Sequence, residues 1–199
     1  MSDTHSSSPV AWQEFILGGQ KSGKTRRAEQ AARDWLDAAP GRSAVYLATG
    51  QAWDDEMRAR IARHQVDRAA RVPGMQTVEA PLQLAQALQT HSTAQTLVVV
   101  DCLTMWLTNW MMPMDAVAES EPNQATEQSW SAQRALLLEV LPRCAGPVVL
   151  VGNEIRLGVI PLGREVRAFV DALGVLNQDV AAVCSRVTLM AAGLPLQLK

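Results

Sequence analysis

The stretch Gly18, Gly19, Gln20, Lys21, Ser22, Gly23, Lys24, Thr25 (GGQKSGKT) decides the fold. It follows the short apolar run EFIL (14–17) and leads directly into a helical pattern, RRAEQAARDWL. These eight residues match GxxxxGK[ST], and strand, loop and helix come in the order a phosphate cradle requires. Glycines let successive backbone N–H groups turn inward on an anion, and the helix N-terminus adds partial positive charge at the same place. Lys24 is placed to reach the β- and γ-phosphates as a point charge, and Thr25 to offer its hydroxyl to Mg2+. The alternative is a chance glycine-rich turn, and the flanking context argues against it.

Outward from this loop, short runs rich in β-branched residues recur: SAVYLA (Ser43–Ala48), TLVVVD (Thr96–Asp101), PVVLV (147–151) and RVTLMA (Arg186–Ala191). Helical patterns separate them, over 24–39, 54–67, 81–89, 123–144 and 163–185, with Asp54, Asn123 and Gly163 at the expected starts of the last-mentioned kind of element. This alternation predicts an α/β fold, a P-loop NTPase with a RecA-like, mostly parallel sheet and helices on both faces. The segment MMPMDAVAESEPNQ (111–124) lacks periodicity and reads as a loop over a site or interface. The expected organisation is a disordered N-terminal extension over 1–13, polar and unlike a signal peptide, and a single catalytic domain over 14–199.

Composition narrows the class of partner. The 199 residues are 48% hydrophobic and 19% charged, as in a globular chain with one sizeable core. Lys and Arg number 18 against 20 Asp and Glu, so no bulk positive field draws in nucleic acid or an anionic membrane. No apolar run reaches the roughly 18 residues of a membrane span. Cys102, Cys144 and Cys184 are far apart and form no CxxC pair, which argues against a disulfide framework or a zinc site and fits a reducing cytoplasm.

Two further positions carry candidate chemistry. Asp101 closes the buried run TLVVVD, where a second magnesium contact is usual, although an Asp capping the turn after a strand has the same signature. His64 lies in DDEMRARIARHQVDR. On a helix, Met57, Ile61 and His64 share a stripe, so the spacing alone fits a partly buried imidazole at the edge of an apolar face. Arg60, Arg63 and Arg68 either form an ordinary solvated helix face or give the segment an anion-friendly surface, beside which a neutral imidazole can act as a nucleophile on phosphorus.

Five ordered blocks then make a resemblance specific: GGQKSGKT, YLATGQAWDDEMRARIARHQVDR, VVVDCLTMWLTNW, VGNEIRLGVIP and LGVLNQDVAA. From about Phe15 onward the chain resembles the bifunctional adenosylcobinamide kinase and adenosylcobinamide-phosphate guanylyltransferase family of cobalamin biosynthesis. The resemblance implies two steps. ATP or GTP phosphorylates the aminopropanol hydroxyl of the corrinoid adenosylcobinamide, and GMP is then transferred from GTP onto that phosphate through a covalent GMP-histidine.

The family histidine falls on His64, in RIARH. The P-loop residues Gly18 to Thr25, then Ala48, Thr49 and Gly50, then Gln65, Val66, Asp67 and Arg68, with Glu79 and Asp101, are the implied nucleotide contacts. Lys24 joins His64 as catalytic, and Thr25 and Asp101 are the implied Mg2+ ligands. A carboxylate such as Glu79 suits the N1 and N2 donors of guanine. The resemblance also implies a homotrimer, to which the tryptophan-rich stretch MWLTNWMM (105–112), expected to be exposed, would contribute.

The chain departs from the family pattern at several points. Gln20 and Lys21 replace Ala and Arg, Arg156 stands where glycine is usual, and Val170 and Val175 replace arginines in the region expected to face the corrinoid or a neighbouring subunit. A longer loop, RAARVPG, precedes MQTVE. Two other functions compete with the bifunctional reading: a P-loop small-molecule kinase without guanylyl transfer, and a regulatory or assembly NTPase.

Overall fold

The run EFIL forms strand β1 (Gln13–Gly18), which lies at the heart of a parallel sheet. The computed structural model describes residues 11–52, 54–112, 124–155, 157–158 and 160–199. In chain order the elements are β1, α1 (Lys24–Asp37), β2 (Ser43–Ala48), α2 (Asp55–Arg71), β3 (Gln76–Glu79), α3 (Leu84–His91), β4 (Thr96–Asp101), α4 (Leu103–Met111), α5 (Gln124–Val140), β5 (Val148–Asn153), α6 (Arg164–Val183), β6 (Arg186–Ala191) and β7 (Leu194–Gln197). A 3-10 turn at Leu141–Arg143 follows α5.

The strands among the described residues form one sheet, in the order β3-β2-β4-β5-β1-β6-β7. All pairs are parallel except β6 with β7. Strand β5 separates β1 from β4, the RecA-like arrangement, so the loop after β1 and Asp101 at the end of β4 flank one intervening strand.

Near-continuous apolar strands β4 and β5 occupy the centre because both of their faces are covered. Alternation assigns each side chain to a face. Phe15, Leu17, Val98, Val100 and Leu150 pack against α3, α4, α5 and α6. On the other face, Ile16, Leu97, Val99 and Val149 pack against Ala28, Ala32 and Trp35 of α1 and against Val72 just beyond α2. Helices therefore cover both faces, as expected, but four lie on one and α1 dominates the other.

Three elements and one boundary depart from the sequence expectation. β3 and β7 were not expected: each has four residues, sits at a sheet edge and is mostly exposed, so neither shows apolar alternation. The stretch MWLTNWMM, expected to be exposed, is largely helix α4. Trp106 and Leu107 are fully buried, and only its end, with Met112, reaches the surface. The Trp106 ring meets Trp130 edge-on at 4.9 Å, and its Nε1 donates to the Leu82 carbonyl at 2.8 Å. The strand β1 begins at Gln13, inside the expected extension, because the Gln13 N–H and carbonyl are both bonded to the Ser185 hydroxyl. Asp54 caps α2 as expected, accepting from the Met57 N–H at 2.6 Å. Arg156, the start expected at Asn123 and the core of the loop over 111–124 lie outside the described residues.

Trp106→Phe should remove the shorter of the two indole bonds to the Leu82 carbonyl, leaving only Trp110 Nε1 at 3.4 Å, and reduce the contact with Trp130. The expected loss is about 1–3 kcal/mol, read as a lower urea midpoint with an unchanged slope.

Candidate functional site

The phosphate loop is shaped by two glycines and by the turn behind it. Gly18 has φ 153°, and a Cβ there would meet the Met190 carbonyl at 2.5 Å and Ser22 Oγ at 2.6 Å. Gly23 is the N-cap of α1 with φ 99°, a conformation that costs little only for glycine. With no side-chain cap at that end, the first N–H groups of α1 are available to an anion. The loop is braced by the β6–β7 turn, where the Gly193 N–H donates to the Ser22 carbonyl at 3.2 Å.

Lys24 is 7% exposed and folds back across the loop, donating to the Gly19 carbonyl at 2.6 Å and approaching Ser22 Oγ at 3.5 Å. Burial lowers its pKa from the usual 10.5, against the opposing influence of Cys102 and Asp101. The ammonium is thus already stripped of much of its water, so a phosphate gains a strong Coulomb partner with little further desolvation of the lysine.

Asp101 supplies the second half of the site. Its Oδ2 accepts the Thr25 hydroxyl at 2.7 Å, joining the first turn of α1 to the end of β4 across the width of β5. The Tyr46 hydroxyl donates to the same oxygen at 2.9 Å. Two hard oxygen ligands, Thr25 Oγ1 and the Asp101 carboxylate, therefore stand together beside the lysine. This donor set suits a cation that takes one or two protein oxygens and completes its shell with phosphates and water.

Register explains how the other expected residues gather. Glu79, Ala48 and Asp101 lie in one row across β3, β2 and β4, because Ala48 pairs with both of the others. All three mark C-terminal strand ends on the edge that carries the phosphate loop, where α/β sheets place their ligands. Gly19, Gln20 and Lys21 are exposed, Gly50 is half-buried and Glu79 is exposed.

Thr49 differs: it is 0% exposed and its groups are spent on the fold. Its hydroxyl donates to the Cys102 carbonyl at 2.7 Å and accepts from the Cys102 N–H at 2.8 Å. Its carbonyl takes a bond from Asn109 Nδ2 at 2.7 Å. Thr49 is a clamp between the ends of β2 and β4.

Helix α2 carries His64, Gln65, Val66, Asp67 and Arg68. His64 is exposed, not half-buried as the stripe of Met57, Ile61 and His64 predicts on periodicity alone, whereas Met57 and Ile61 are half-buried. Gln65 is exposed and Val66 is 70% exposed. Arg68 is the buried residue of this helix, 4% exposed, with its guanidinium 3.7 Å from the Tyr46 ring centroid and its NH2 donating to Thr77 Oγ1 at 3.0 Å.

The sequence reading missed Tyr46, Cys102 and Asn109. Cys102 follows Asp101, and its thiol is pushed up to about 12 by burial first and Asp101 second, which keeps it protonated and inert. Asn109 bonds the Thr49 and Pro81 carbonyls and so ties α4 to the strand ends. The signal for Tyr46 was present: two residues before Ala48 on a strand, it shares the face of the site.

Comparison with known proteins gives the family of the chain. The sequence model of the cobinamide kinase / cobinamide phosphate guanyltransferase family, CobU, matches residues 14–198. The bifunctional adenosylcobalamin biosynthesis protein CobP of Pseudomonas aeruginosa is 43% identical over 186 residues, covering 94% of this chain and 96% of the relative. The corresponding CobU protein of Escherichia coli K12 is 34% identical over 189 residues, covering 93% and 98%. Among solved structures, the flagellar accessory protein FlaH of Methanocaldococcus jannaschii aligns with 94% of this chain and 78% of its own, at 11% identity and a TM-score of 0.49. With its phosphate loop, its Asp101 strand and its histidine helix in place, and a family match over nearly the whole length, the chain belongs to the cobinamide kinase / cobinamide phosphate guanyltransferase family.

Proposed function

We propose that this chain phosphorylates adenosylcobinamide with ATP or GTP and then transfers GMP from GTP to adenosylcobinamide phosphate, with His64 as the covalent carrier. The observation that carries the reading is the coexistence of a formed phosphate cradle, in which Thr25 and Asp101 meet at 2.7 Å, with an exposed histidine on α2. Mg2+ held by Thr25 and Asp101 would neutralise charge on the phosphates when bound.

In the first step the aminopropanol oxygen attacks the γ-phosphorus, the bond to the β-γ bridging oxygen breaks, and the hydroxyl proton is lost. Little covalent chemistry falls to the protein here. The α1 N-terminus and Lys24 hold the phosphates in line and balance their charge. In the second step an imidazole nitrogen of His64 attacks the α-phosphorus of GTP, and pyrophosphate departs. A phosphate oxygen of the corrinoid substrate then attacks the same phosphorus, the P–N bond breaks, and His64 is regenerated. Exposure of His64 supports this role, since a nucleophile that meets GTP and then a bulky corrinoid needs open space around it.

The nucleotide contacts proposed beyond the loop are Ala48, Gly50, Gln65 and Glu79, with Val66 and Asp67 along the exposed part of α2. Thr49 is assigned to holding that edge together. The proposed compartment is the cytoplasm, which the three free thiols Cys102, Cys144 and Cys184 suit. Among the described residues, no helix is long and apolar enough to cross a membrane.

A homotrimer is proposed as the working assembly. With Trp106 in the core, the support comes from exposed apolar side chains elsewhere: Leu157, Ile160 and Leu162, and Leu194, Leu196 and Leu198 on and beside the edge strand β7.

Incubation with α-labelled GTP and Mg2+ should leave acid-labile label on the chain, and His64→Ala should remove the label while nucleotide binding persists. Phosphorylation of cobinamide by γ-labelled nucleotide without any labelled protein would leave a kinase alone and sink the transferase half. Size-exclusion chromatography with light scattering should give three times the chain mass; a monomer at working concentration would refute the trimer.

A further inference from the structure

Tyr46 is the single tyrosine of the chain and is 6% exposed in the middle of β2. It faces α1, and both its ends are engaged. Register places Val99 opposite Tyr46 and Asp101 opposite Ala48, so the long phenol reaches Asp101 on the diagonal. Asp101 Oδ2 then accepts two hydroxyls from different elements, Thr25 of α1 at 2.7 Å and Tyr46 of β2 at 2.9 Å. A carboxylate held at one oxygen from two directions has its rotation fixed, which leaves Oδ1 aimed by the fold.

The ring of Tyr46 bears a second load. The Arg68 guanidinium carbon lies over it at 3.7 Å from the ring centroid, and Arg68, 4% exposed, spends an N–H on Thr77. An arginine that reads a guanine edge must present its row of N–H donors to the base. Arg68 instead lies over a phenol inside the protein. It is also one turn from His64 on the same helix, so its stack joins the histidine helix to the residue that orients Asp101.

We propose that Tyr46 is a positioning residue of the catalytic centre: its hydroxyl orients Asp101 towards the metal–nucleotide complex, and its ring seats Arg68, which acts through Tyr46 rather than on guanine. The proposal rests on the two-step reading for its turnover assays, but its first test does not need a corrinoid.

Tyr46→Phe keeps the ring under Arg68 and deletes the hydroxyl. Mn2+ binding to the complex of protein with a non-hydrolysable ATP analogue, followed by electron paramagnetic resonance, should weaken about 10-fold. Affinity for the analogue in EDTA should change less than about two-fold, the contrast expected when a group acts only on a metal ligand. The Mg2+ concentration for half-maximal labelling of His64 should rise in step with the Mn2+ shift. Unaltered Mn2+ affinity in a variant with wild-type circular dichroism overturns the role of the hydroxyl.

Arg68→Met tests the other half. An equal rise of KM for ATP and GTP in γ-phosphate transfer supports a role through Tyr46, whereas a rise confined to GTP overturns it and makes Arg68 a guanine contact. If wild-type protein binds Mn2+ and nucleotide yet turns over no cobinamide, the two-step reading fails while the Mn2+ result still decides the role of Tyr46.

Discussion

The bond from the Thr25 hydroxyl to Asp101 joins two elements that the chain keeps 76 residues apart. It exists because β5 is inserted between β1 and β4, setting the start of α1 and the end of β4 at a separation that one short hydroxyl and one short carboxylate can span. The apolar character of β4 and β5 therefore has a functional consequence. Their Val and Leu side chains force these strands into the doubly covered centre, and the centre of the sheet is where the phosphate loop needs its carboxylate.

Much of this was legible in the sequence because it depends on local pattern. The loop motif, the five principal strands and the cap at Asp54 each announce themselves within about ten residues. Elements that depend on tertiary contact did not. β3 and β7 form because an edge offers them hydrogen bonds, not because QTVE or LPLQ alternates. MWLTNWMM reads as a surface patch by its richness in Trp and Met, yet Trp106 is drawn inward by Trp130 and by the Leu82 carbonyl.

The site shows the same division. Thr49 and Arg68 sit inside segments expected to touch nucleotide, and both are consumed by the fold: Thr49 by Cys102 and Asn109, Arg68 by Tyr46 and Thr77. A motif marks a segment, but only packing tells which members of it face the ligand. His64 illustrates the converse. Periodicity placed it on an apolar stripe, and that stripe is real in spacing, but Met57 and Ile61 are half-buried while His64 is exposed. The body grips α2 at its C-terminal turn instead, through buried Arg68, buried Val72 and the ion pair of Arg71 with buried Glu29.

One loop serving two transfers also constrains where selectivity resides. Backbone N–H groups, Lys24 and the Thr25–Asp101 pair recognise only phosphates and their counter-ion, features that ATP and GTP share. A first step open to either nucleotide needs nothing more. In the proposed second step a guanine nucleotide sits with its α-phosphorus before His64, so discrimination would come from groups outside the loop. With Thr49 turned inward and Arg68 stacked on Tyr46, the exposed carboxylate of Glu79, one strand beyond Ala48 in the same row as Asp101, is the expected residue best suited to the guanine donors.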